Sequence, residues 1–339
     1  MARHPGPTRP GTEWRRTRRP SQAGAALLIA MVLVTVVTTL AAGMVWQQWR
    51  AVEVEAAERA RSQSAWILNG ALDWARLILR EDGRTGQPVD HLGEPWSVPL
   101  AEARLSTFLA AERSANADDG PEAFLSGDIT DAQSRYNLRK LVGPNPNNNG
   151  FIVEPKQLEV LRRLLGSASL SPDLAAQIAN QLRQAIEQDP QGPLMPRSLD
   201  QLAWLGLDES TRAKLEPFVV LLPEGTNVNL NTAPREVLAA VIGLNLGDAQ
   251  RLVQRREQQP FNTAEEAKNL FSSSGNPAPD FTHTGANTNY FEVRGRLRLG
   301  DQVLMERSLV HRAPNGVTVL RRERINATAT LPGTGTALR

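Results

Sequence analysis

The sequence predicts an α+β protein in which a long N-terminal helix packs on an antiparallel sheet, with a large all-helical insertion between parts of the sheet domain. Three observations predict this class. A charge-free apolar run lies near the N-terminus, helix signals dominate residues 143–288, and three alternating apolar and polar segments follow within residues 289–326. A chain of 339 residues is long enough to bury cores for both parts.

Composition excludes several functions before any motif is considered. The chain contains no cysteine, which excludes thiol catalysis, thiolate metal sites and disulfide bonds. Its formal charge is only +2, from 38 basic and 36 acidic side chains, so overall charge does not indicate a nucleic-acid partner.

The N-terminal arm, residues 1–24, is basic and rich in proline and glycine. It contains several arginines and a single acid, Glu13, and its composition does not favour a stable fold. From Ala25 to Trp46 no charge occurs, and as a helix this run is about 33 Å long, enough to cross a bilayer core. Because the arginines precede the run, the bulk of the chain after Gln47 is expected on the far side of the membrane.

Three interpretations of this N-terminus compete: a cleaved secretory signal, an uncleaved signal anchor and a prepilin-type leader. A secretory signal is cut after a shorter apolar region, whereas this run continues into WQQWRAVEVEAAERARSQSA without a turn. The segment RRPSQAG followed by AALLIAMVLV has the order of a prepilin leader, with Gly24 as its last residue and Ala25 as the first mature residue.

The apolar run is predicted to continue as an amphipathic helix to about Arg80. Four-residue steps favour two neighbouring stripes on it, which are Trp66, Gly70, Trp74 and Ile78, and Ile67, Ala71, Ala75 and Leu79. The segment Glu81-Asp82-Gly83 is predicted to end the helix.

The middle of the chain carries mostly helix signals. A short helix is predicted over residues 100–115 and a short strand with its turn over 125–130. Pro155 is placed near a helix start, Ser171-Pro172 as the cap and first position of the next helix, and Thr232 as the cap of a helix that Pro234 opens. This last helix, a glycine-rich turn at 243–247 and the helix after it resemble a helix-hairpin-helix or SAM-like unit.

Three alternating segments then predict an antiparallel meander. They are YFEVRGRLRL, QVLMERSLVHR and GVTVLRRERI, separated by turn signals at Leu299-Gly-Asp and Ala313-Pro-Asn-Gly. The last residues, 327–339, have the composition of a disordered tail.

Two further segments carry a family resemblance together with the leader. SGDITDAQSRYNLRKLV spans residues 126–142, and GTNVNLNTAPREVLAAVIG spans residues 225–243. With the leader and the long helix they resemble the large minor pseudopilin of type II secretion systems, the general secretion pathway protein K family. The signature residues of the second segment are Asn229, Asn231, Thr232, Ala233 and Pro234.

The resemblance implies a domain order and a role in assembly. It implies a prepilin leader (1–24), the transmembrane half of the N-terminal helix (25–46), a pilin-like domain in two parts (47–142 and 289–326) and the helical insertion (143–288). The implied protein is a single-pass inner-membrane subunit with its bulk in the periplasm, which caps the pseudopilus tip, initiates assembly and limits its length. Its implied partners are the other minor pseudopilins, the major pseudopilin and the prepilin peptidase, which also methylates the amine of Ala25.

One position departs from ordinary pilins. The fifth mature residue is usually glutamate, whose carboxylate is held to neutralise the N-terminal amine of a neighbouring subunit inside the membrane; here it is Ile29. The protein K family is described as sharing this absence, so the resemblance gives Ile29 a meaning for assembly. The alternative is that residue 29 is one more apolar membrane residue.

Two other functions stay open on the sequence. The hairpin unit, with Arg251, Arg255 and Arg256, suits an extracytoplasmic DNA-binding minor pilin, although Glu257, Glu265 and Glu266 dilute its charge and no nucleic acid is expected as a partner. The other is a tethered enzyme acting on peptidoglycan or a substrate, for which no catalytic constellation is found. We therefore expect a protein that is not an enzyme.

No cofactor is predicted, and calcium is possible without support from the sequence. The four histidines, His4, His91, His283 and His311, are not at ligand spacing, and His283 is the one worth testing. Some pseudopilins bind calcium through acidic and amide oxygens, for which Asp128, Asp131, Gln133, Asn137 and the later Asp280 are the candidates. Calcium needs six to eight oxygens, often with several carboxylates, and these few acids do not supply them convincingly.

Overall fold

A single long helix, α1, runs from Ala23 to Arg84. The computed structural model describes residues 23–84, 89–105, 123–147, 150–271, 278–300 and 302–325. The predicted leader up to residue 22 and the predicted disordered tail (327–339) lie outside the described residues. The chain forms two compact units, one ending at Gln63 and one beginning at Ser64.

The part of α1 up to Gln63 is exposed along its described length, with large apolar side chains among the exposed ones. The hydroxyls of Thr35, Thr38 and Thr39 donate to carbonyl oxygens one turn earlier in the same helix. These internal bonds satisfy the polar groups of the apolar run, as an environment without water requires. By length and composition this helix can cross a membrane.

In the second unit, α1 from Ser64 onwards packs on a sheet through one face. Leu68, Leu72, Ala75 and Leu79 are buried. Of the predicted stripe of Trp66, Gly70, Trp74 and Ile78, only Ile78 is half-buried against the core, whereas Trp66 is 75% exposed and Trp74 is 51% exposed. Apolar residues occur on several faces of this helix, so spacing alone could not identify the one that meets the sheet.

Five antiparallel strands form the sheet, in the order β1-β2-β9-β10-β11. Their ranges are Leu100–Arg104 (β1), Ala123–Asp131 (β2), Tyr290–Leu299 (β9), Gln302–Ala313 (β10) and Gly316–Ile325 (β11). The predicted meander of three strands is confirmed, and the strand predicted at 125–130 is part of β2. The helix predicted over 100–115 was wrong at its start, since residues 100–104 pair with β2; residues 106–122 lie outside the described residues.

The buried face between α1 and the sheet is aromatic at its centre. Phe291 is fully buried, and the ring of Trp96 meets it edge-on with centroids 5.2 Å apart. Gly127 and Gly295 face each other across β2 and β9. A Cβ at Gly127 would lie 2.5 Å from the carbonyl oxygen of Arg294, and one at Gly295 would lie 3.2 Å from Leu68, so this pair lets sheet and helix approach closely.

The insertion lies between β2 and β9 in sequence and is mainly helical. Its helices are Pro155–Ser167 (α2), Leu174–Glu187 (α3), Glu209–Leu215 (α4), Arg235–Ile242 (α5), Leu246–Gln258 (α6) and Ala264–Asn269 (α7). Short 3-10 turns occur at Pro95–Ser97, Ala132–Ser134, Leu138–Leu141 and Asp200–Leu205.

The helix starts follow the predicted signals in part. Pro155 is the first residue of α2, as its fixed φ favours. α3 begins two residues later than predicted, because Asp173 occupies the N-cap position and Ser171 instead hydrogen-bonds to Asp173 in the preceding turn.

Short strand pairs connect the helices of the insertion. Tyr136–Asn137 (β3) pairs with Val219–Val220 (β6), Val142–Pro144 (β4) with Phe151–Val153 (β5), and Val228–Asn229 (β7) with Thr284–Gly285 (β8). The insertion has its own large core, in which the fully buried residues include Leu161, Ile178 and Leu238. A smaller cluster, Ala132, Val220, Leu222, Tyr290 and Leu309, joins it to the sheet.

Candidate functional site

The signature segment forms a buried polar junction between the insertion and the sheet. Its centre is the carboxylate of Asp131, the last residue of β2, which is 3% exposed. Asn229 donates from Nδ2 to Oδ2 of Asp131 at 2.9 Å, and the Thr232 hydroxyl donates to the same oxygen at 2.5 Å. The other oxygen, Oδ1, accepts the backbone N–H of Gln133 at 2.6 Å.

The electrostatics of the junction follow from this burial. Burial raises the pKa of Asp131 above its ordinary range, while the hydrogen bonds from Thr232 and Asn229 act in the opposite direction. Asn229 also donates to the backbone oxygen of Asp90 at 3.0 Å, so one amide connects two separate parts of the pilin-like domain to the insertion.

Asn231 connects the junction to the end of the insertion. Its Oδ1 accepts the N–H of Phe261 at 2.8 Å, and its Nδ2 donates to the carbonyl oxygens of Phe261 and Ala286. Its own N–H donates to Oδ1 of Asn229 at 3.0 Å. The two asparagines therefore hold loops that are distant in sequence, which explains why the segment needs amides at alternate positions.

Thr232 does not have the predicted capping role. The N-cap of α5 is Pro234, whose side chain makes no capping hydrogen bond. The Thr232 hydroxyl donates to the carboxylate of Asp131 instead. Ala233 is fully buried, and its carbonyl oxygen accepts a hydrogen bond from Arg256 Nη1 at 2.7 Å.

Arg256 is a structural part of the junction. Its Nη1 also donates to the carbonyl oxygen of Leu230 at 2.7 Å, and burial lowers its pKa to about 10. Arg251 and Arg255 on the same helix also have intramolecular partners: Arg251 pairs with Asp248, and Arg255 donates to Gln259. The Arg256 guanidinium, which the DNA-binding alternative would use for contacts with DNA, thus donates to carbonyl oxygens within the protein.

The hairpin itself is a packing module. Gly243 ends α5 with φ of +82°, a conformation that glycine adopts without strain, and the chain then turns into α6. Ala239, Ala240 and Ala249 are buried in the core of the insertion.

An acidic cluster that sequence reasoning missed lies at the end of α1. Carboxylate oxygens of Asp82, Asp90 and Glu94 lie within 4.8 Å of one another. Arg312 from β10 pairs with Asp82 at 2.5 Å and with Asp90, and it donates to the carbonyl oxygen of Thr288. Burial raises the pKa of Asp82, with Glu94 acting in the same direction and Arg312 opposing it.

The calcium candidates chosen from sequence do not form a common site. Asp131 serves the junction, Gln133 bonds to Asn227 and Asn289, and Asn137 accepts the N–H groups of Arg139 and Leu222. In the described part of the chain, the group of acids or histidines that could hold an ion is the cluster of Asp82, Asp90 and Glu94. There the guanidinium of Arg312 already supplies positive charge, so these residues fit an ion pair better than a cation.

His283 is half-buried in a loop, and burial together with Lys140 lowers its pKa. Gly24 and Ala25 lie in the first turn of α1, and Ile29 is 61% exposed on it. Cleavage after Gly24, methylation at Ala25 and the assembly role of Ile29 stay predictions.

The end of the charge-free run carries two exposed tryptophans. Trp46 and Trp49 lie on α1 beside Arg50, whose guanidinium is 5.2 Å from the ring centre of Trp46. Tryptophan and arginine at the end of an apolar span are typical of a membrane–water interface. This supports single-pass anchoring by α1.

Comparisons with known proteins agree with this architecture. Two family models described as type II secretion system protein K match residues 134–224 and 228–287. Type II secretion system protein K of Pseudomonas aeruginosa is 28% identical, with 94% of this chain and 97% of that protein covered. The counterpart from Pectobacterium carotovorum is 24% identical, with coverages of 90% and 97%.

A solved structure shows the same fold. It is the crystal structure of the GspK–GspI–GspJ complex from the type 2 secretion system of enterotoxigenic Escherichia coli, with a TM-score of 0.60 and 18% identity; the match covers 80% of this chain and 99% of that one. The family match over residues 228–287 includes all five signature residues, and the two relatives named here each align over 97% of their length. The chain therefore belongs to the type II secretion system protein K family and is a minor pseudopilin.

Proposed function

We propose that this minor pseudopilin sits at the tip of the periplasmic pseudopilus, where it initiates assembly and limits filament length. The observation that carries the proposal is a large helical insertion with its own core, joined to the pilin-like sheet by the buried Asp131 junction. A rigidly attached body of this size occupies space that a further subunit would need. Its work is binding, as befits a family of structural components.

The proposed location is the inner membrane, with α1 as the single span and the rest of the chain in the periplasm. The apolar run is free of charge, and its threonine hydroxyls are satisfied within the helix. The arginine-rich arm stays on the cytoplasmic side under the positive-inside tendency. The prepilin peptidase is the proposed processing partner.

Processing gives a direct prediction. N-terminal sequencing of the membrane-associated protein is expected to begin at Ala25. Replacing Gly24 with leucine puts a bulky side chain immediately before the scissile bond, and we expect the chain to keep residues 1–24. The measurement is Edman sequencing or intact mass of the purified protein.

The matched control for processing is Gly43→Leu, the same change within the same helix at a site with open space around it. It is expected to be processed normally. A wild-type chain that begins at Met1, or one cut after residue 46, would refute the leader.

Ile29 supports the proposed position at the end of the pseudopilus. A carboxylate at the fifth mature residue needs a neighbouring amine, because unpaired charge in a membrane is costly. A subunit with isoleucine there has no such need and does not have to dock beneath another. The proposed partners are other minor pseudopilins and the major pseudopilin. In the similar solved structure, GspK is in complex with GspI and GspJ.

Filament labelling tests the tip position. In pseudopili assembled with the full set of subunits, label on this chain is expected at one filament end, and omission of the chain is expected to change filament number and length. Ile29→Glu restores the docking carboxylate, so its label should also occur along the shaft. Ile29→Leu is the matched control and should keep the end position. Label along the shaft with the native chain would contradict the proposal.

A further inference from the structure

A pocket with a volume of about 440 Å³ lies on the insertion, separate from the Asp131 junction. It is bounded by the 3-10 turn at Leu138–Leu141, by β4, by the first turn of α2 and by the loops at residues 225 and 283. The polar residues that line it are Arg139, Lys140, Glu154, Lys156, Gln157 and His283.

Two cations in this pocket lack a carboxylate partner. Lys140 Nζ lies 2.6 Å from Oδ1 of Asn227, and Arg139 Nη1 lies 3.3 Å from the sulfur of Met195. No ion pair joins either side chain to another described residue. Burial lowers the pKa of both groups, so the folded protein holds two positive charges at a cost that an anion would offset.

The first turn of α2 meets the same pocket with unused donors. Its N-cap, Glu154, makes no side-chain cap, and Pro155 has no N–H. In the described part of the chain, the backbone N–H groups of Lys156 and Gln157 have no hydrogen-bond acceptor. Such groups at the start of a helix, together with the helix dipole, attract anions.

A buried amide adds an independent observation. Gln157 is 3% exposed, and its Oε1 accepts the hydroxyl of Tyr136 at 3.0 Å. Its Nε2 has no acceptor among the described residues. Since Gln157 lines the pocket, water or a ligand with an acceptor oxygen in the pocket can satisfy this donor group.

The acids near the pocket do not cancel its positive charge. Oδ2 of Asp280 lies 3.3 Å from Nζ of Lys156 and forms an ion pair with it. Hydrogen bonds from Thr282 are the main reason that the pKa of Asp280 is held at about 2. Glu154 is the acid that lines the pocket itself. Even with both acids ionised, Arg139, Lys140 and Lys156 outnumber them.

We propose that this pocket binds a small oxyanion, held by Arg139 and Lys140, by the N-terminal N–H groups of α2 and by the amide of Gln157. Acceptor oxygens on one compact anion match this set of donors. Two sources share this chemistry: a free phosphate ion and the carboxylate of an aspartate or glutamate on a neighbouring protein. The site is independent of the proposed position at the pseudopilus tip.

The test is calorimetric titration of the full-length chain in detergent, at constant ionic strength in chloride, with inorganic phosphate and with N-acetyl-glutamate amide. At least one is expected to bind with saturation. Lys140→Gln is expected to weaken binding about tenfold, the usual scale for one charge-assisted hydrogen bond. Arg162→Gln removes a charge from the exposed side of α2, outside the pocket, and is the matched control, expected to leave binding unchanged.

A second variant keeps the test decisive if Lys140→Gln folds poorly. Glu154→Gln removes the acid that lines the pocket, and it is expected to tighten binding several-fold. Tighter binding of phosphate assigns the site to a free ion, whereas equal or tighter binding of the glutamate probe assigns it to a protein carboxylate. Saturation with neither anion, an equal loss in Arg162→Gln, or weaker binding in Glu154→Gln would overturn the proposal.

Discussion

Replacing Asp131 with alanine is expected to lower the free energy of unfolding by about 3–5 kcal/mol, because it leaves several buried donors without an acceptor. The Asn229 amide, the Thr232 hydroxyl and the N–H of Gln133 all donate to this carboxylate. The measurement is denaturant unfolding of the detergent-solubilised chain, followed by tryptophan fluorescence, to which the buried Trp96 contributes.

The matched control is Asp128→Ala, three residues earlier on β2. Asp128 is half-buried, and none of its hydrogen bonds to the described residues holds a loop of the insertion. We expect a loss of less than about 1 kcal/mol. Equal losses for the two variants would show that the junction has no special weight.

Replacing Arg312 with glutamine is the second change with a large expected effect. It removes the cation that compensates Asp82 and Asp90, which lie with Glu94 in one acidic cluster. Loss of one member of a buried ion pair typically costs about 3–5 kcal/mol. The same unfolding measurement gives the value.

The loss in Arg312→Gln should depend on pH. Arg312 lowers the pKa of Asp82, so without it this pKa rises further above its ordinary value of 3.8. The folded variant then binds a proton that the unfolded chain has released, and its stability falls as pH rises through that window. The deficit relative to wild type should therefore be smaller at pH 5 than at pH 7.5.

A surface ion pair serves as the control for this pH dependence. Lys268 pairs with Glu265 at 3.0 Å, and the two side chains are 54% and 66% exposed. Lys268→Gln is expected to cost less than about 1 kcal/mol, as surface pairs generally do. A deficit in Arg312→Gln that grows towards acidic pH would contradict the role given to the cluster.

The features predicted well from sequence depend on local patterns. An uninterrupted apolar run predicts the start of α1, and alternation with turn signals predicts β9, β10 and β11. Such patterns are properties of neighbouring residues and need no knowledge of the rest of the fold. The limits of the insertion and the leader remain predictions.

The features missed depend on contacts between distant residues. The strand β1 exists because Leu100 and Arg104 pair with β2, although their local sequence favours helix. Trp66 and Trp74 are exposed because the sheet packs against a different face of α1. The acidic cluster joins three residues of the first hundred to Arg312, and no spacing rule could have found it.

The signature segment shows the same division. Its asparagines and Pro234 could be recognised as a motif, but their partners could not. Asp131 was considered for calcium and Arg256 for DNA, whereas both are hydrogen-bonded to the signature segment. A polar residue type indicates that a bond will be made, and only the fold determines with which group.

The pairing of β2 with β9 has a consequence for how the chain folds. Thr130 and Glu292 are neighbours in the sheet although 162 positions separate them. Contacts this far apart in sequence slow folding, because a long loop must close before they stabilise anything. Until the insertion has folded and brought these strands together, β2 has an unpaired edge open to other chains. Early folding of the insertion would therefore shorten the time for which this edge can pair with other chains.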